Sequence, residues 1–163
     1  MKAIRPCLIA LLLLLLVACG RQGRTPAAPQ TAVPTALPPP TLAPNAIALG
    51  GQLYAQYCAV CHGAGLEGQA NWMKQNEDGT FRSPPHDASG HTWHHADEAL
   101  VDAIRLGGAR LPDSIGGTSN MPAFDEVLTD EEIAAVLDYL KSTWPPEIRI
   151  VQWEQTLRSE AAD

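Results

Sequence analysis

Two cysteines three residues apart, with a histidine directly after the second, constrain this chain more than any other feature. The stretch is YAQYCAVCHGAG, Tyr54 to Gly65. Three chemistries use that spacing: a redox dithiol, half of a zinc site, and covalent attachment of a haem. A thioredoxin-like dithiol needs its pair where a strand opens into a helix. Upstream of Cys58, NAIALGGQLYAQY has no strand-like alternation. Ile47, Gly50, Gly51, Tyr54, Tyr57, Cys58 and Cys61 instead fall on one helical face. Asn45, after Pro44, reads as the N-cap of that helix. Zinc needs four ligands. Cys58 and Cys61 would have to pair with His91 and His95, across a gap that is long for a zinc finger.

Haem attachment explains more of the chain. Cysteines at i and i+3 share one face of a helical turn, so both sulfurs reach the vinyl groups on one porphyrin edge. His62 then lies under the iron as the proximal ligand. A methionine as second axial ligand raises the potential. Met121, in SNMPAF, stands 59 residues after His62. Pro122 biases Met121 toward extended backbone, which suits a loop presenting a thioether. Met73, in NWMKQN, lies too close to His62 and reads as loop or packing.

With GGQLYAQYCAVCHG, then MPAF, then LTDEEIAAVLDYLKSTW, the chain resembles the class I c-type cytochromes over most of residues 46–144. The resemblance implies an all-α fold: three main helices and long loops around one covalent haem c held by Cys58, Cys61, His62 and Met121. It also implies that an N-terminal helix crosses a C-terminal one, a small residue meeting an aromatic. Gly50 and Tyr54 match the first partner and Tyr139 the second. The local signals agree with the fold. Two mid-helix glycines cost about 1 kcal/mol each relative to alanine, which close helix approach would offset. Thr129 and Glu132 form a capping box. Acidic residues 130–132 and Lys141 suit the two ends of the helix dipole. Ile133, Val136, Leu137, Leu140 and Trp144 make its buried stripe. A third helix is expected in HHADEALVDAIRLGG, with Leu100, Ala103 and Ile104 inward and Gly107 as its stop.

The flanks have their own logic. Lys2 and Arg5 precede an apolar run of eleven residues, Leu8 to Ala18. At ~1.5 Å per residue that run is far short of the ~30 Å of a bilayer core. Residues 1–18 read as a signal peptide. The ending LVAC resembles the bacterial lipobox, which implies acylation of Cys19 and anchoring to a membrane without spanning it. Residues 19–45 then form a linker. From residue 20 on it has seven Pro, five Ala and four Thr, with no acidic or aromatic residue. Such a segment buries too little to order itself. The folded domain is expected over 46–146, with 147–163 as an extension that has room for one short helix.

Residues 46–163 carry seven Lys or Arg against eighteen Asp or Glu. That acidity argues against nucleic-acid binding and fits a redox partner with a basic face. Once Cys7 leaves with the signal and Cys19 is acylated, only Cys58 and Cys61 remain, so there is no disulfide framework.

The chain departs from the simple pattern after the haem motif, where a loop of about thirty residues follows. The family implies a proline whose carbonyl orients the proximal histidine, and Pro84 matches it. The family's leucine two positions later is His86 here. GHTWHH, Gly90 to His95, adds His91, His94 and His95. The favoured reading is a polar loop over the haem edge, with His91 or Trp93 meeting the haem propionates. Its rivals are a copper or zinc site within His86–His95 and an axial ligand competing with Met121. Two functions follow: a membrane-tethered single-electron carrier, not an enzyme in itself, on the outer side of the membrane; or a haem enzyme or sensor with a labile sixth ligand. A metal-handling protein is a third class.

Overall fold

Helix α1, Pro44–Leu53, starts on its proline, whose fixed φ and missing N–H suit the first helical position. Asn45, expected as the N-cap, therefore lies inside the helix. Ala43 holds the cap position and makes no side-chain bond there. The computed structural model describes residues 37–162. The signal run, Cys19 and most of the linker lie outside the described residues.

The helical path then widens. Tyr54–Cys58 is a π-helical turn, with the Ala59 N–H reaching back to the Tyr54 carbonyl. The path closes as α2, Ala59–His62, and ends at Gly63, whose φ of +83° favours glycine. The expected uninterrupted α-helix is thus broken by one extra residue per turn just before the cysteines. π turns of this kind concentrate at functional sites. This one carries the buried stripe of Leu53 and Tyr54 on to His62.

Helix α3, Asp97–Leu106, buries Leu100 and Ile104 and stops at Gly107, as its sequence implies. Helix α4, Asp130–Ser142, has the complete capping box: Thr129 Oγ1 accepts from Glu132 N at 3.2 Å and Glu132 Oε2 from Thr129 N at 2.9 Å. Ile133, Val136, Leu137, Leu140 and Trp144 are all buried. Removing each from water contributes about 1.5–3 kcal/mol before entropy is counted. Lys141 does more than face the helix dipole: its Nζ meets Asp97 Oδ2 at 2.6 Å and joins α4 to the start of α3.

α1 crosses α4 where the glycines are. A Cβ on Gly50 would overlap the carbonyl of Ala135, and one on Gly51 would sit 3.3 Å from the Tyr139 ring. Tyr54 packs on Tyr139 with ring centroids 5.5 Å apart. The expected small-on-aromatic crossing is thus shared between two glycines: Gly50 meets backbone and Gly51 meets the ring.

The tail is a full helix, α5, Pro146–Glu160. Its inward face is polar. Gln152 Nε2 donates to Asp97 Oδ1 at 2.6 Å and to the His95 carbonyl at 3.2 Å. Thr156 Oγ1 accepts from Asp97 N at 3.1 Å. Arg149 reaches the Pro40 carbonyl at 3.0 Å and ties down the residues that lead into α1. Among the described residues there is no strand, only an isolated parallel bridge between Thr80 and Thr118. No described helix is long and apolar enough to cross a membrane.

Candidate functional site

The cysteine turn presents its side chains unequally. Cys58 is half-buried and Cys61 is exposed, and both are free thiols. Burial pushes the Cys58 thiol up to about 11, with Cys61 beside it adding to the shift. His62, the last residue of α2, is buried. Two bonds seat this turn: Tyr54 Oη donates to the Gly63 carbonyl at 2.8 Å, and Gly68 N to the His62 carbonyl at 2.7 Å.

His62 Nδ1 lies 2.9 Å from the Pro84 carbonyl. A carbonyl only accepts, so Nδ1 carries the proton and Nε2 keeps its lone pair. Burial lowers the imidazole's pKa, while the Pro84 bond works against that shift. A neutral ring with a free Nε2 is what a metal ligand requires.

The Pro84 carbonyl is placed by contacts far along the chain. Gln69 N donates to the Ser83 carbonyl at 2.8 Å, and Gln69 Oε1 accepts from Ser83 N at 3.0 Å. Gly68, at φ +65°, lies so close that a Cβ there would overlap Pro85 N and sit 2.6 Å from Pro84 C. Gly90 approaches the Pro85 carbonyl from the other side in the same way. Neither glycine drew attention in the sequence. Their spacing has no local pattern, and only the folded approach shows the need.

Pro84, expected to orient the proximal histidine, does offer its carbonyl to His62. The His86 imidazole stacks on His62, with centroids 4.0 Å apart and planes 24° apart. Its side chain is half-buried. That burial pushes it down to about 3, with His62 and His91 adding to the shift.

Met121 lies on the loop after α3, half-buried against the same apolar cluster as Tyr57, Cys58 and Ala59. Its carbonyl accepts from Gly108 N at 2.8 Å and its N–H donates to Ser119 Oγ at 3.2 Å. Gly107, at φ +57°, leaves room for the Met121 and Pro122 carbonyls. Met73 is exposed in a loop.

The other histidines do not gather as metal ligands. Among the described residues no three His, Cys, Asp or Glu side chains converge on a common ion. His91 stacks on Trp72 at 4.9 Å and meets His95 edge-on at 5.3 Å, while His94 stacks on Trp93 at 3.7 Å. His91 Nδ1 and Trp93 Nε1 are both buried without a hydrogen-bond partner.

A family model described as cytochrome C oxidase, cbb3-type, subunit III matches residues 45–140, which hold the cysteine turn, Pro84, Met121 and most of α4. The chain belongs to this family. It is a cytochrome c domain, an electron-transfer unit with one covalent haem c. It is 31% identical over 126 residues to quinohemoprotein alcohol dehydrogenase ADH IIB of Pseudomonas putida, covering 76% of this chain and 15% of that protein. It is 32% identical over 103 residues to the cbb3-type cytochrome c oxidase subunit FixP of Azorhizobium caulinodans, covering 63% of this chain and 31% of that protein. The chain spans less than a third of either relative's length. No solved structure matches it.

The residues present fit the family's cofactor. Two unpaired thiols stand one turn apart, beside an imidazole with its Nε2 lone pair kept free. The orphaned His91 Nδ1 and Trp93 Nε1 are groups that a buried carboxylate would satisfy.

Proposed function

We propose that this chain is a membrane-tethered, single-haem electron carrier on the outer side of the membrane. The haem supplies the one-electron couple. Cys58 and Cys61 would hold it through thioethers, and His62 Nε2 and Met121 Sδ would ligate its iron. The observation that carries this reading is the His62–Pro84 bond of 2.9 Å, which presents a neutral, oriented imidazole at the end of the cysteine turn. Pro84 holds the proton on Nδ1, which directs Nε2 outward. His91 and Trp93 receive the propionates. The Met121 loop, pinned to Gly108, brings up a soft thioether that favours the reduced state.

The tether rests on the sequence. The apolar run ending in LVAC supports acylation of Cys19. The proline-rich linker, at ~3.1 Å per residue, has a reach of at most about 80 Å. An acidic domain favours a partner with a basic face, through an on-rate that falls as salt rises. Such a domain serves as a shuttle or as the electron-entry subunit of a larger oxidoreductase.

The test is a reduced-minus-oxidised spectrum of the protein from a host that attaches haem, with the mass of the acylated form. Expected are low-spin c-type bands, the weak charge-transfer band of a Met–Fe bond, and no carbon monoxide binding to the reduced protein. Carbon monoxide binding would turn the reading toward an enzyme or sensor with a labile sixth position. An unacylated, freely soluble mature protein would remove the tether.

A further inference from the structure

His86 stands where the family pattern has an apolar leucine, yet it is held more firmly than a filler residue needs. Its N–H donates to the Leu66 carbonyl at 2.8 Å, and its own carbonyl accepts from Trp144 Nε1 at 2.7 Å. Leu66 is itself buried at φ +69°, a left-handed conformation that is strained for residues other than glycine. The ring is held as well. His86 Nδ1 lies 2.8 Å from Thr92 Oγ1, and the Thr92 hydroxyl donates to the Pro85 carbonyl at 3.3 Å. With that proton committed, Thr92 Oγ1 accepts from His86 Nδ1–H. The ring so anchored lies on His62 with centroids 4.0 Å apart. Tyr54 meets it edge-on at 6.3 Å.

We propose that His86 is a positioning residue for the iron ligand: its imidazole, bonded to Thr92 and carried on a main chain held by Trp144, sets the plane of the His62 ring. The inference rests on the reading of His62 as the proximal ligand. One hydrogen bond to Pro84 fixes one ring atom and leaves the ring free to rock about that contact. A second flat ring against its face removes this freedom. A leucine fills the same space but has no plane and no Nδ1–H to lock. The ring plane of an axial imidazole decides which iron d orbital its π system meets, so it governs the spread of the haem-methyl shifts in the ferric protein. Through Trp144 the end of α4 is linked to that plane.

The experiment compares ferric holoproteins by paramagnetic proton NMR and by potentiometric midpoint. His86→Phe keeps a flat ring on His62. His86→Leu keeps the bulk without the plane. Thr92→Val keeps the ring but removes its lock. His86→Phe is expected to keep the order and spread of the parent's haem-methyl signals. His86→Leu and Thr92→Val are expected to change both, with the midpoint rising in the leucine variant as a polar group leaves the ligand's side. A leucine variant with the parent's methyl pattern and midpoint overturns the inference. Should His86→Leu yield no holoprotein, Thr92→Val decides alone, and an unchanged spectrum there is equally fatal. A parent protein without a histidine-coordinated low-spin spectrum would overturn the ligand reading itself, and this inference with it.

Discussion

The two arms proposed to hold the haem, His62 and Met121, are built differently. His62 is buried, bonded through Nδ1 to Pro84, and covered by the His86 ring. Met121 is half-buried, and the hydrogen bonds that hold it run through its own main chain, to Gly108 N and Ser119 Oγ. One arm locks a side chain; the other locks a backbone and leaves a flexible thioether at its tip. The difference follows from the donors. An imidazole is directional and must be aimed, whereas methionine is soft, unbranched and adaptable. In such a site the imidazole arm sets geometry and the thioether arm sets potential and lability.

The largest effects should separate the arms outright. His62→Ala is expected to yield no low-spin holoprotein, while Met121→Ala should still carry haem. Its reduced form should bind carbon monoxide, and its midpoint should fall by at least a tenfold change in redox equilibrium, about 59 mV for one electron. Spectra and potentiometry of the two variants check this. Equal loss in both would erase the asymmetry.

Next in size are the glycines behind each arm. Gly68→Val and Gly107→Val both place a Cβ into backbone at positive φ, and each should cost about 3 kcal/mol or more in denaturant unfolding. Carbon monoxide binding tells them apart: the Gly107 variant should open the sixth position and the Gly68 variant should not.

Single hydrogen bonds give a finer comparison. Trp144→Phe loses the bond to the His86 carbonyl and should cost about 1–2 kcal/mol while shifting the ferric NMR spectrum. Ser119→Ala loses a longer bond on the Met121 side and should cost less than 1 kcal/mol. It should weaken the Met–Fe band rather than the His62 pattern.

The smallest expected effect touches neither arm. Burial raises the Asp138 carboxyl, against the pull of Lys141, and Asp97 adds to the rise. A carboxyl with a raised folded value binds protons more readily when folded, so it lowers stability as pH climbs from about 4 toward neutrality. Asp138→Asn should raise Tm slightly at pH 7, lose that gain near pH 3.5, and leave midpoint and NMR pattern alone. A shift in midpoint would show that the α4–α5 seam speaks to the site.

How far the chain could be read in advance depended on where each signal lay. The capping box of α4, its apolar stripe and the Gly107 stop of α3 are local, and the structure has all three. The π turn was invisible, because the 3.6-residue face through Tyr54 and Cys58 looks continuous on paper. Helix α5 was barely legible, since its inward positions are Gln152 and Thr156 and no apolar period marks them.

From residues alone came the cysteine turn with His62, and Met121 as the methionine to watch; the resemblance that these motifs carry implied the all-α class. The motifs rest on contiguous spacing and short-range physics, which a linear chain displays directly. Only the folded molecule decided that His86 stacks on His62, that Gly68 and Gly90 make room for Pro84 and Pro85, and that α5 grips residues 95–97. Each of these is a meeting of residues distant in the chain. Whether such a pair touches depends on the path of everything between them.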